Sequence, residues 1–110
     1  MKRVGIVGSR EYTNRRKIKE FVYKLKEQFG DKVEVVSGGQ KLGADGFAKK
    51  FALEFDMKYV EFPPRHYTNK QIVEYSDYIV AFMNKGQYTK GTLNTIETAE
   101  KMNKKVIILN

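Results

Sequence analysis

The 110-residue chain has no cysteine, no tryptophan, a single histidine at His66, and only two prolines, adjacent at Pro63-Pro64. Without cysteine there is no disulfide framework and no thiolate metal site. His66 has neither a second histidine nor a cysteine to complete a metal set, and no Ser-His-Asp set can be assigned around it. No apolar run approaches the ~20 residues needed to span a bilayer. The basic start, Met1-Lys2-Arg3, leads into an apolar stretch that is short and reads as a strand, not a signal peptide. A Walker A lysine motif and a full G-x-G-x-x-G are also missing. These absences point to a cytoplasmic protein with no membrane partner, no metal and no cofactor.

What is present is ordinary for a globular fold: 41% hydrophobic and 13% aromatic residues, which argues against disorder. The length suits one domain spanning residues 1–110 around a single core. The net charge of +8 is unevenly distributed, because residues 1–30 hold nine Lys/Arg against three Asp/Glu, whereas residues 31–110 hold twelve against ten. A basic stretch of this kind forms either a solvated helix face or a patch for an anionic partner.

Periodicity predicts alternating strands and helices. Val4, Ile6 and Val7 form a short apolar run ending at Gly8, as a buried strand does. Asn14 suits the N-cap of a helix over 15–29, with Ile18, Phe21, Val22, Leu25 and Phe29 on one stripe. Val33, Val35 and Val36 give a second strand that stops at Ser37-Gly38-Gly39. A helix from Ala44 to about Asp56 presents Phe47, Ala48, Phe51, Ala52 and Phe55 on one face. Lys58 to Phe62 reads as a third strand ended by Pro63-Pro64, and a short helix over 69–75 precedes the strand 78–82. A last helix opens at the Gly86–Gly91 loop with Leu93, Ile96 and Ala99 inward, and 106–109 closes the pattern as a buried strand. The predicted fold class is α/β: a Rossmann-like domain with a five-stranded parallel sheet, order 3-2-1-4-5, and helices on both faces.

Ligands of such sheets bind beyond the carboxyl ends of the strands, where the strand order reverses. The order predicted here brings three glycine-bearing loops to that point: Gly8-Ser9-Arg10, Ser37-Gly38-Gly39 with Gly43-Ala44-Asp45, and Gly86 with Lys90-Gly91-Thr92. Glycine lets the backbone turn sharply and approach a ligand, and helix N-termini supply unpaired N–H groups. Together they favour a phosphate or another anion. Ser9 offers a hydroxyl and Arg10 a bidentate cation. Asp45 either complements the helix dipole or accepts ribose hydroxyls. Thr92 either donates to an anion or caps the helix, and Tyr88, Thr89 and Lys90 are rim candidates. Glu97 and Glu100 are expected to face solvent.

These residues, with Val36, Ala48, Pro63, Asn69, Ser76-Asp77, Ile96 and Ala99, resemble the SLOG superfamily, most nearly its small YspA-type Rossmann-like proteins. The stretch from Val36 to Ala48 is the most specific part. The resemblance implies a nucleotide-derived ligand in the crevice and a dimer or larger homo-oligomer, for which Tyr12, Tyr23, Tyr67 and Tyr75 are candidate interface residues. Within this superfamily LOG-type members cleave the N-glycosidic bond of nucleoside monophosphates, others sense ADP-ribose-like signals, and DprA-type members bind single-stranded DNA. LOG-type enzymes carry an arginine where this chain has Thr68 and a glutamate where it has Thr95. An oxocarbenium-like transition state needs a nearby carboxylate, so the leading expectation is a sensor or sequestering protein for a nucleoside phosphate or ADP-ribose-type signal. Two alternatives stand beside it: an N-glycosidase using Asp45, Glu97 or another carboxylate in place of the missing glutamate, and single-stranded nucleic-acid binding through the basic first helix.

Overall fold

A computed structural model describes residues 1–63, 68–84 and 89–110. His66, Pro64-Arg65, Tyr67, Gly86 and Tyr88, all singled out above, lie outside the described residues. The elements run β1 (Lys2–Gly8), α1 (Arg15–Phe29), β2 (Val33–Ser37), α2 (Gly43–Glu54), β3 (Lys58–Glu61), α3 (Thr68–Tyr75), β4 (Tyr78–Phe82), α4 (Lys90–Lys101) and β5 (Lys105–Leu109).

The five strands form one all-parallel sheet in the order β3-β2-β1-β4-β5. This is the predicted α/β architecture. Alternation along β1 sends Val4 and Ile6 to one face and Val7 to the other. On the first face they pack with Ile18, Val22 and Leu25 of α1 and Ala44, Ala48, Phe51 and Ala52 of α2. On the second, Val7, Val36, Ile79 and Ala81 meet Ile72 and Val73 of α3 and Ile96 and Ala99 of α4. Burying each of the Val, Leu, Ile and Phe side chains among them contributes about 1.5–3 kcal/mol, so the two-faced pattern holds the helices in place.

Local signals act as the residue types dictate. Asn14 caps α1 by accepting from the Lys17 N–H at 3.2 Å, and Gly30 ends that helix at φ +61°. Asp77 anchors the start of β4 to β1: its carboxylate accepts from the Arg3 N–H, and its own N–H donates to the Arg3 carbonyl, both at 2.7 Å.

Three expectations need correction. Leu93 is 42% exposed, because the buried stripe of α4 is Thr92, Thr95, Ile96 and Ala99 and Leu93 lies one position, about 100°, off it. β5 is an edge strand rather than a fully buried one, and its Ile108 is exposed. Tyr12 is no surface aromatic: it is buried in the core, its ring 5.6 Å from that of Phe82.

Candidate functional site

A cavity of about 470 Å³ opens at the carboxyl ends of β1, β2 and β4. From the predicted site it is lined by Gly8, Ser9, Arg10, Gly38, Asp45, Gly91 and Thr92. Ser37, Gly39, Gly43 and Lys90 do not line it. The three loops therefore converge, but they contribute in different ways.

The first loop leaves β1 at Gly8, where an added Cβ would stand 2.3 Å from the Phe82 carbonyl oxygen. Only glycine fits so close to β4. Ser9 is buried. Its hydroxyl accepts from the Glu11 N–H at 3.0 Å, and its carbonyl accepts from the N–H groups of Tyr12 and Ala44, each at 3.2 Å. Arg10 is exposed at the rim and, among the described residues, makes no ion pair.

The second loop is internally satisfied. The buried Ser37 hydroxyl accepts from the Gly39 N–H at 3.3 Å. Gly43, at φ +71°, lies so tightly on the first loop that a Cβ would meet the Ser9 carbonyl oxygen at 2.1 Å. Asp45 is 8% exposed. Its carboxylate accepts from the backbone N–H groups of Gly38 and Gln40. Burial pushes its pKa up to about 7, against the lowering effect of those two amides, and the nearby Glu61 adds to the rise. The amides expected to cradle an anion at this loop are thus partly committed: Asp45 takes two, and the Ser9 carbonyl takes that of Ala44.

The third loop is built differently. Thr89 caps α4, its hydroxyl accepting from the Thr92 N–H at 3.3 Å and donating to the Thr92 hydroxyl at 2.8 Å. Thr92 and Thr95 are buried, whereas a Cβ added at Gly91 would meet nothing within 4 Å. The Gly91 carbonyl accepts from the Thr95 hydroxyl at 3.1 Å and the Asn69 amide at 3.4 Å, which joins α3 to α4 across the cavity mouth. A helix start leaves its first N–H groups without intrahelical partners, and here that turn lines the cavity.

Gln40, Glu11 and Ile72 also line the cavity, as do Thr68, Asn69, Thr89 and Thr95. The first three carry no motif. Glu11 and Gln40 extend the first and second loops by one residue, and Ile72 is reached only once α3 is known to close the crevice from the second face of the sheet. Thr68 donates to the Pro63 carbonyl at 2.7 Å. Among the described residues Asp45 and Glu11 are the only carboxylates that line the cavity, and Glu97 is exposed on α4 away from it. That removes Glu97 as a candidate for chemistry in this crevice. Among the described residues its walls thus combine hydroxyls, amides, the Asp45 and Glu11 carboxylates and the Arg10 guanidinium with an apolar patch from Val7 and Ile72.

No protein-family model and no curated protein matches the chain. Two solved structures of the molybdenum cofactor carrier protein from Chlamydomonas reinhardtii share its fold. One aligns with 97% of this chain and 75% of that one at 19% identity and a TM-score of 0.72. The other aligns with 98% and 75% at 21% identity and a TM-score of 0.73. The chain therefore has the small Rossmann-like α/β fold of that carrier protein. Among the described residues, no helix is long and apolar enough to cross a membrane.

Proposed function

We propose that this protein binds a nucleotide-type small molecule, a nucleoside phosphate or ADP-ribose-type signal, and acts as a sensor or sequestering agent. The observation that carries the reading is that Ser9, Arg10, Gly91, Thr92 and the buried Asp45 carboxylate all line one cavity. The first group is rich in donors and suits a phosphate. Asp45 suits the hydroxyls of a sugar, which donate to it. Val7 and Ile72 add apolar surface that a base can cover. The resemblance to SLOG proteins supports the same ligand class. The fold shared with a cofactor carrier supports holding a ligand over transforming it.

Catalysis of the LOG type lacks its groups here. Thr68 and Thr95 stand at the arginine and glutamate positions, and both hydroxyls are engaged with backbone carbonyls. The ligand test is direct. Native mass spectrometry of freshly purified protein is expected to show a co-purifying nucleotide, and calorimetry is expected to find one saturable site for a member of a panel of mono-, di- and cyclic nucleotides. Silence across that panel, with no bound mass, overturns the proposal. Release of free base from a nucleoside monophosphate would replace it with the enzyme reading.

A further inference from the structure

A second concavity lies away from the crevice, on the outer surface of α1 beside α2. It has a volume of about 810 Å³, and Thr13, Arg15, Arg16, Lys19, Tyr23 and Phe55 line it. Its charge is poorly explained by stability. Arg15, Arg16 and Lys17 fill the first turn of α1, which holds no acidic residue, and cations there oppose the helix dipole. Arg15 and Lys19 of α1 and Lys50 of α2 each place their charged group 5.8 Å from the Phe51 ring centre. The three charges therefore lie within about twice that distance of one another. Among the described residues none of the three makes an ion pair. Glu20 is the carboxylate in the groove, and it pairs with Arg16 at 3.2 Å.

Beside these cations stands an aromatic pair. Tyr23 is 50% exposed and meets Phe55 edge-on, with ring centres 5.6 Å apart. The Lys26 ammonium holds the Phe55 carbonyl, which fixes this end of the groove. Convergent cations beside an exposed, braced ring are the elements of a single-strand binding surface, where charge tracks the phosphates and the ring stacks on bases. An acidic peptide would satisfy the cations but gives Tyr23 no flat partner, and a duplex hides its base faces.

We infer that the α1–α2 groove binds single-stranded nucleic acid, with Arg15 and Lys19 of its lining and Lys50 beside it on phosphates and Tyr23 stacking on a base. The surface is separate from the nucleotide crevice, and the inference does not rest on the function proposed for that crevice. The test uses a fluorescein-labelled 12-residue oligodeoxythymidine and fluorescence anisotropy at low salt. Arg15→Glu with Lys19→Glu is expected to weaken binding at least tenfold and to flatten the salt dependence. Lys70→Glu with Lys101→Glu reverses the same charge on α3 and α4, which pack on the opposite face of the sheet, and is expected to change affinity less than threefold. Tyr23→Ala is expected to weaken binding about fivefold or more with the salt slope unchanged, in line with the stacking contribution. Excess nucleoside monophosphate is expected to leave the oligonucleotide bound. Circular dichroism checks that each variant is folded, and Lys50→Glu on α2 repeats the charge test if the α1 pair is not. The inference fails if no oligonucleotide binds at low salt, if the distant pair matters as much as the groove pair, or if the mononucleotide displaces the strand. It also fails if polyglutamate competes equally while Tyr23→Ala has no effect, which would assign the groove to acidic peptides.

Discussion

The N-terminal ends of α2 and α4 carry the same sequence signal, a glycine followed by a small residue after a strand and loop, yet the structure uses them in opposite ways. At α2 the Ser9 carbonyl takes the Ala44 N–H, and the Asp45 carboxylate turns back to hold Gly38 and Gln40. This end is a structural joint between the first two loops. At α4 a threonine cap satisfies one amide, and the opening turn lines the cavity. The lesson is that a glycine-bearing helix start becomes an anion site only where the protein has not already supplied the acceptors.

That contrast can be broken most sharply at glycine. Gly43→Ala puts a Cβ against the Ser9 carbonyl in a left-handed conformation and is expected to cost on the order of 4 kcal/mol, a large share of a small domain's stability. Gly91→Ala meets nothing within 4 Å. It is expected to leave the denaturation midpoint unchanged or raise it slightly, while weakening a ligand held over that turn. Chemical denaturation of both variants checks the pair; equal losses would erase the distinction between the two helix starts.

Asp45 gives the next largest effect, and its sign follows from proton linkage. In the folded protein its pKa is raised from 3.8 to about 7, so between those values the native state holds a proton that the unfolded chain has released. The stability it contributes is greatest below about pH 4, falls as pH rises towards 7, and stays lower above. Asp45→Asn is expected to remove that slope, which amounts to at most about 4 kcal/mol across the window. Parallel denaturation series at pH 4, 5.5 and 7.5 measure it, and an identical slope in both proteins would place the ionised carboxylate at ordinary acidity.

Arg10→Ala touches only the rim. It is expected to weaken a phosphorylated ligand by roughly 1.5–3 kcal/mol, the range of a hydrogen bond to a charged group, and to leave stability alone. Calorimetry against a nucleoside monophosphate and its unphosphorylated nucleoside sharpens this, because only the former is expected to respond. The smallest effect is at the cap: Thr89→Ala is expected to cost about 1 kcal/mol, read as a lowered melting temperature.

Most of the fold was legible because both sheet faces are covered, so strands appear as apolar runs and helices as stripes such as Ile18-Val22-Leu25. The start of the last stripe was not, since threonines at 92 and 95 fill buried positions that hydropathy assigns to Leu93. The position of the crevice followed from strand order alone. The commitments within it did not. That Ser9 seals the start of α2, that Gly39 lies against Glu61, and that Asp45 consumes two loop amides are contacts between segments distant in sequence or turned back on themselves. No local motif encodes which of two equivalent glycine turns remains open.

Amide NMR shifts during titration with a nucleoside monophosphate test the account most directly. The account predicts saturable changes concentrated at Ser9, Arg10, Gly91 and Thr92, with Gly39 and Gly43 nearly still. Changes centred on Gly39 and Gly43, or none anywhere at millimolar ligand, would contradict it.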